Sequence, residues 1–242
     1  MNFFVNSNQI RENKIYINNS DVNHIKNVLR KKPGDVINIV SEGNEYISQI
    51  ISLTSECIEC EVIDKKKENV NEPQITIFQG LAKADKIEYI IQKCTEIGVY
   101  EIIPVEMKRC VVKFDEKDKI KKIDRWKKIA EVAAKQSLRN DILKVEKILS
   151  VNQAIEIFKQ YDYVIMAYEK EVNNTLKSVI SDIEKKNLKI AVVIGPEGGI
   201  DEEEVEKLLN NGAISVSLGK RILRTETAPI VISSILMYEF SK

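Results

Sequence analysis

The 242-residue chain is long enough for two domains, and 43% of its residues are apolar, which is sufficient for a hydrophobic core. Its 37 basic and 37 acidic side chains leave no net charge, which excludes a whole-protein electrostatic attraction to nucleic acid and requires local basic patches for any such binding. Because it contains no apolar run of bilayer-spanning length and no signal-peptide pattern, we expect a cytoplasmic protein with no membrane partner.

Residues 1–70 are predicted to form a small β domain. Short β-branched runs alternate with turn signals such as Pro33-Gly34-Asp35, and one short helix is predicted over residues 21–29. A small barrel is the natural arrangement for such strands because it removes exposed strand edges. The predicted strands cover residues 15–17, 36–40, 45–50 and 57–62.

The cysteines of this region predict no metal site. Cys57 and Cys60 have zinc-like spacing, but the chain has no second such pair, and its only histidine, His24, is distant in sequence. The two cysteines also fall in a predicted strand, where positions i and i+3 point to opposite faces. We therefore expect reduced cysteines and no bound metal.

A second domain is predicted over residues 74–242, after a polar stretch, residues 64–73, that ends in proline. Strands alternate with helices in this part of the chain, which is typical of an α/β fold with a largely parallel sheet covered on both faces. One helix is expected to begin at a cap formed by Asp85 and to end at Gly98, and another to cover residues 124–138. The predicted strands cover residues 75–78, 101–105, 163–167, 190–194 and 214–218.

Glycine marks the candidate ligand site. Five of the nine glycines lie between residues 195 and 219, at the carboxyl ends of two predicted strands, which is where open α/β sheets bind ligands. The first loop, Ile194–Ile200, precedes four carboxylates at residues 201–204 that suit a helix start but repel an anion. A positively charged nucleoside such as S-adenosylmethionine therefore fits better than a phosphate, and the alternative is a tight structural turn followed by a helix cap.

The second loop covers residues 218–229 and precedes an apolar helix predicted to be buried. Thr227 is expected to cap this helix, with Pro229 in its first turn. Basic, hydroxyl and acidic side chains are held here between two buried elements, which favours a catalytic role. The alternative for Arg224 and Glu226 is a salt bridge combined with a cap.

These two loops resemble the RsmE-type family, whose members are SPOUT-superfamily methyltransferases that modify uridine N3 in small-subunit ribosomal RNA. The resemblance lies in Ile194-Gly-Pro-Glu-Gly-Gly199 and Leu218-Gly-Lys-Arg-Ile-Leu-Arg-Thr-Glu-Thr-Ala228. Residues 83–99 and 125–139 are similar to the first two helices of the family's catalytic domain, and residues 24–35 are similar to its PUA-like N-terminal domain. The resemblance therefore covers nearly the whole chain.

The resemblance implies a deep trefoil knot, an obligate homodimer and S-adenosylmethionine as cofactor, with the cofactor site at the dimer interface. The residues implied to bind the cofactor follow the strand at 163–167 or belong to the two loops: Ala167, Tyr168, Ile194, Gly195, Pro196, Glu197, Gly198, Gly199, Leu218, Gly219, Ile222, Leu223, Arg224, Thr225, Thr227 and Ala228.

Methylation of uridine N3 requires removal of its proton, and Glu226 is the first candidate for the general base. Arg221 and Arg224 are candidates to stabilise negative charge on the uracil oxygens, although either of them can instead bind the cofactor or RNA. The candidate contacts to ribosomal RNA are basic residues of both domains: Lys26, Arg30, Lys31, Lys32, Lys83, Arg109, Lys135 and Arg139. The alternatives are a related methyltransferase acting on another RNA site, a non-catalytic RNA-binding or assembly factor, and, less favoured, an enzyme of nucleotide phosphates.

Overall fold

The computed structural model describes residues 1–18, 20–67, 72–184 and 188–241. The chain divides into two compact units, of which the first comprises Met1–Val70 and Ala134–Ile142 and the second comprises Asn71–Ala133 and Leu143–Lys242. The predicted boundary segment includes residues 68–71, which lie outside the described residues.

The first unit contains a six-stranded mixed sheet. Its strands are β1 (Asn2–Phe4), β2 (Ile10–Arg11), β3 (Lys14–Ile17), β4 (Val36–Ser41), β5 (Asn44–Leu53) and β6 (Ile58–Lys67). They lie in the order β1-β4-β5-β6-β3-β2, in which β1 and β4 are parallel and all other neighbours are antiparallel. The predicted β-rich domain is confirmed. Within the described residues, β1 and β2 lie at the two ends of its strand order.

Strand alternation builds the core of this unit. Ile15 and Ile17 on β3 point to the same face and are fully buried, as are Ile39 on β4 and Ile58 on β6. The predicted helix over residues 21–29 is a single turn, α1 (Asp21–Asn23), continued by a π-helical segment, His24–Val28, and a 3-10 turn covers Ser7–Gln9.

The second unit contains a parallel sheet with the strand order β10-β8-β7-β12-β11-β13, and β9 also pairs with β8. Its strands are β7 (Gln74–Gly80), β8 (Glu101–Glu106), β9 (Lys144–Val145), β10 (Leu149–Ser150), β11 (Tyr163–Ala167), β12 (Lys189–Ile194) and β13 (Ala213–Val216). Its helices are α2 (Ala84–Ile97), α3 (Glu116–Gln136), α4 (Val151–Glu156), α5 (Leu176–Ser181), α6 (Glu202–Asn210) and α7 (Ala228–Phe240), with a 3-10 turn at Phe158–Gln160. The last three residues of α3, 134–136, belong to the first unit. The predicted α/β architecture is confirmed.

Two helices of this unit depart from their predicted starts. Helix α2 begins at Ala84 with Lys83 at its cap position, so that Asp85 lies within the first turn, and it ends as predicted at Gly98, whose φ is 106°. Helix α3 begins at Glu116, eight residues before the predicted start. This extra segment is mostly charged and Ile120 is exposed, so the pattern of buried residues that signals an amphipathic helix is absent there.

Helix α7 is apolar nearly all round, yet it is not buried on every side. Ile232 and Leu236 are fully buried, whereas Ile235 is 41% and Tyr238 is 89% exposed. Thr227 occupies the cap position without a side-chain cap hydrogen bond, and Pro229 lies in the first turn as predicted.

Two further properties concern the described part of the chain only. None of its helices combines the length and the apolarity needed to cross a bilayer. It also contains no group of three or more His, Cys, Asp or Glu side chains placed to hold a metal ion.

Candidate active site

A cavity of about 860 Å³ lies in the second unit at the carboxyl ends of neighbouring strands β11, β12 and β13. Because the three strands are parallel, the loops that follow them converge at one edge of the sheet. The two glycine-bearing loops identified in the sequence both contribute to the cavity wall.

Most of the predicted cofactor-binding residues line this cavity. They are Ala167, Tyr168, Ile194, Gly195, Pro196, Glu197, Gly198, Gly199, Leu218, Gly219, Ile222, Leu223, Arg224, Thr225 and Ala228. Arg221 also lines it, whereas Thr227 and Glu226 are not among the lining residues. Seven lining residues were missed by the sequence analysis: Lys86, Glu169, Glu171, Val172, Thr175, Ser217 and Lys220.

Close backbone contacts fix the first glycine loop. A Cβ atom at Gly80, the last residue of β7, would lie 2.5 Å from the backbone nitrogen of Pro196, so only glycine permits this approach. Gly199 has a φ of 71°, and a Cβ atom there would lie 2.6 Å from Glu169 Oε1. Glycine at these two positions therefore lets the loop pack closely against β7 and Glu169.

A buried hydrogen-bond chain joins the two glycine loops. The Thr225 hydroxyl donates to the Gly195 carbonyl at 2.7 Å and accepts a hydrogen bond from Gln79 Nε2 at 3.0 Å. Thr225 is 7% exposed and Gln79 is fully buried, so the two bonds are shielded from competing water. Two walls of the cavity are thereby held to each other and to the end of β7.

The start of helix α6 is occupied by the protein's own charges. Asp201 accepts a hydrogen bond from the backbone N–H of Glu203 and forms ion pairs with Lys108 and Arg109. Burial acts to raise the pKa of Asp201, but the hydrogen bonds from Lys108 and Glu203 outweigh it and lower that pKa. Glu204 accepts from the backbone N–H of Lys108 at 2.9 Å. The helix start is thus already paired with carboxylates, which is unfavourable for a phosphate.

A lysine between two carboxylates lies beside the cavity. Lys86 Nζ is 3.4 Å from Glu197 Oε1 and 3.3 Å from Glu226 Oε2. Partial burial acts to lower the pKa of Lys86, but the two carboxylates outweigh it and raise that pKa, so the group is an ammonium. Burial likewise acts to raise the pKa of Glu197, but backbone N–H groups, including that of Lys83, and the Lys86 ammonium hold it below its usual value.

In the first unit, the predicted RNA contacts fall into two groups. Lys26, Arg30 and Lys32 are exposed, and no ion pair involving them occurs among the described residues. Lys31 is partly buried. By contrast, Lys135 is only 6% exposed and binds both oxygens of Asp21.

The remaining predicted RNA contacts differ in their exposure and in their ion pairs. Arg139, also in the first unit, is largely buried and paired with Asp141 at 2.8 Å. In the second unit, Lys83 is exposed, and Arg109 is exposed and paired with Asp201. A phosphate contact by Lys135 or Arg139 would therefore have to replace an existing carboxylate partner.

Fold and site together define the second unit as an α/β domain that binds a small ligand where its parallel strands end. A family profile described as an RNA methyltransferase domain matches residues 69–237, and one described as an RNA methyltransferase PUA domain matches residues 17–63. The chain belongs to this RNA methyltransferase family. The predicted fold class, an α/β methyltransferase domain with a small PUA-like β domain, is confirmed.

Two named relatives and one solved structure illustrate the similarity. "Ribosomal RNA small subunit methyltransferase E" of Bacillus subtilis (strain 168) is 38% identical over 92% of this chain and 89% of its own. The protein of the same name from Mesomycoplasma hyopneumoniae (strain 232) is 36% identical over 94% of this chain and 95% of its own. The crystal structure of the Neisseria gonorrhoeae enzyme of that name, bound to S-adenosyl methionine, is 29% identical, covers 99% of this chain and 98% of its own, and has a TM-score of 0.86.

Proposed function

We propose that this protein methylates N3 of a specific uridine in small-subunit ribosomal RNA, with S-adenosylmethionine as the methyl donor. The observation that carries the proposal is the cavity formed by two glycine-bearing loops whose walls are joined through Thr225. The relatives named above, ribosomal RNA small subunit methyltransferases, support the substrate. The S-adenosyl methionine in the Neisseria gonorrhoeae structure supports the donor.

The residues of the cavity fit this donor. Its volume of about 860 Å³ falls in the usual range for small-molecule sites, roughly 300–1,000 Å³. Glycine at positions 195 and 199 lets the first loop pack closely against Ile200 and Glu169, and the carboxylate-paired start of α6 favours a cation over a phosphate. The proposed donor-binding residues are the sequence-predicted residues named above as lining the cavity, the first of which is Ala167 and the last Ala228.

When bound, S-adenosylmethionine supplies the methyl group: the carbon–sulfur bond breaks with its electron pair left on sulfur, and the N3 lone pair forms the new carbon–nitrogen bond. The protein must orient uridine N3 in line with the breaking carbon–sulfur bond, about 3 Å from the methyl carbon. Glu226 accepts the N3 proton in this proposal. Arg221 and Arg224, both exposed at the cavity, stabilise the negative charge that develops on the uracil oxygens.

RNA binding in this proposal depends on exposed basic side chains. In the first unit these are Lys26, Arg30 and Lys32, with Lys31 beside them, and in the second unit they are Lys83 and Arg109. With ribosomal RNA as the proposed substrate, the proposed location of the enzyme is the cytoplasm.

A homodimer and a trefoil knot belong to the same proposal. The exposed apolar side chains Ile235 and Tyr238 on α7 support a dimer because an unpartnered apolar helix face is unfavourable in water. The order of the sheet supports a knot, since β12 lies between β7 and β11 although it follows both along the chain.

The dimer is tested by placing charges on this face. Replacing Ile235 and Tyr238 together by Glu should shift the protein from dimer to monomer in size-exclusion chromatography with light scattering, because two carboxylates would have to be buried. Val132→Glu, at a 61% exposed apolar position on α3, is the control and should leave the dimer intact. A monomeric wild type, or a double variant that remains dimeric at the same concentration, would contradict the proposal.

The function is tested by mapping modified nucleotides in small-subunit RNA by mass spectrometry, with and without the gene. Loss of one N3-methyluridine upon deletion, and its restoration by purified protein with S-adenosylmethionine, are expected. Loss of a different modification would favour a methyltransferase for another RNA site. If calorimetry detected no binding of S-adenosylmethionine, a non-catalytic RNA-binding factor would be favoured instead.

A further inference from the structure

Lys86 brings together carboxylates from both glycine-bearing loops. It lies in the first turn of α2 and lines the cavity, and its ammonium contacts Glu197 of the first loop and Glu226 of the second within 3.4 Å. No other residue in the described part of the chain forms ion pairs with both carboxylates. One cation therefore offsets the repulsion between two partly buried like charges.

Glu226 depends on Lys86 more than on its other cationic neighbour. Arg224 Nη1 is 3.9 Å from Glu226 and its side chain is 84% exposed, so solvent weakens this pair. The Lys86 and Glu226 side chains are only 28% and 17% exposed. Glu226 Oε2, the oxygen nearest to Lys86, is itself buried, so little solvent screens this ion pair.

We propose that Lys86 is a positioning residue for Glu226. Its ammonium holds the Glu226 carboxylate in place beside the cavity, and its contact with Glu197 links that carboxylate to the first glycine-bearing loop. This inference rests on the proposed function, in which Glu226 accepts the proton of uridine N3. Lys86 itself transfers no proton.

The test compares Lys86→Met with Lys86→Arg in single-turnover methyl transfer at saturating RNA and S-adenosylmethionine. Lys86→Met should slow the reaction about 10- to 100-fold, a substantial part of what a general base contributes. Lys86→Arg keeps a cation there and should restore the rate to within about 5-fold of wild type. Lys93→Met, on the same helix but paired with Glu96 and not among the residues that line the cavity, is the control and should react like wild type.

A double-variant cycle with Glu226→Gln separates positioning from independent action. If Lys86 acts through Glu226, adding Lys86→Met to Glu226→Gln should cause less than about a 3-fold further loss, because interacting residues give non-additive effects. The rates are compared at saturating S-adenosylmethionine, so a change in donor affinity caused by losing this cavity-lining residue does not enter the comparison, and calorimetry sets the saturating concentration for each variant.

Three results would overturn the inference: a wild-type rate in Lys86→Met, no rescue by Lys86→Arg, or multiplicative losses in the double variant. In each of these cases the wild-type protein still methylates RNA, so the proposed function stands. If the wild-type protein transferred no methyl group while still binding S-adenosylmethionine and RNA, the proposed function would fail, and the assignment of Lys86 with it.

Discussion

Glu226→Gln is expected to slow single-turnover methyl transfer by about 100-fold or more, the lower end of the usual contribution of a general base. The amide has nearly the same size as the carboxylate, but it cannot accept the proton that uridine N3 must lose. Glu226 is not among the residues that line the cavity, so the binding of S-adenosylmethionine should change little. The loss should therefore appear in the chemical step.

The measurement is methyl transfer with enzyme in excess over RNA, together with calorimetry of cofactor binding. Glu96→Gln is the matched control, since Glu96 is an acidic residue on α2 that pairs with Lys93 and does not line the cavity, and it should react at the wild-type rate. A near wild-type rate in Glu226→Gln would remove Glu226 from the role of base. A large loss of cofactor affinity would indicate a binding role instead.

Periodicity and glycine placement in the sequence predicted the elements that carry the site. Alternating strands and helices from residue 74 onward indicated a parallel sheet, and that topology alone puts the loops after β11, β12 and β13 at one edge. The sequence alone therefore assigns the two glycine-bearing loops to one site. Local patterns were sufficient because consecutive parallel strands share a direction.

Contacts between distant residues could not be predicted in this way. Lys86 meets Glu197 and Glu226 because β12 is inserted beside β7, and a strand order of that kind leaves no local pattern in the sequence. The hydrogen bond from Gln79 to Thr225 has the same origin. The resemblance of residues 83–99 to the family was the one available signal that α2 contributes to the site.

The burial of Lys135 could not be predicted from the sequence for a different reason. A lysine in a basic segment is usually solvated, whereas this one is buried. Its ammonium lies 2.8 and 2.9 Å from the two oxygens of Asp21, inside the first unit, and both side chains are 8% exposed. No hydrophobicity pattern distinguishes a buried lysine from an exposed one, because the acidic partner is more than a hundred residues away along the chain. If Lys135 contacts RNA, its replacement should weaken RNA binding. If its role is the ion pair with Asp21, its replacement should instead lower the stability of the fold.

Lys135→Met is expected to lower the free energy of unfolding by about 3–5 kcal/mol, the usual loss when one partner of a buried ion pair is removed, because the buried Asp21 carboxylate loses the Lys135 ammonium. Methionine keeps most of the aliphatic volume of lysine, so the loss reports the charge rather than a cavity. Replacing both partners by apolar residues, Asp21→Leu with Lys135→Met, should recover most of the stability, since neither charge is then buried. Urea unfolding of each variant gives these values.

The exposed pair between Lys14 and Glu59, also in the first unit and 2.7 Å long, is the matched control. Lys14→Met should leave the urea midpoint close to that of wild type, because Lys14 is 49% exposed and solvent screens its charge.

RNA binding gives the second readout. Each phosphate contact that is lost reduces the slope of log binding constant against log salt concentration by about 0.7 on single-stranded RNA. This reduction is expected for Lys32→Met and is not expected for Lys135→Met that remains folded. A stable Lys135→Met variant with a reduced salt slope would show that the Lys135 ammonium leaves Asp21 to bind RNA.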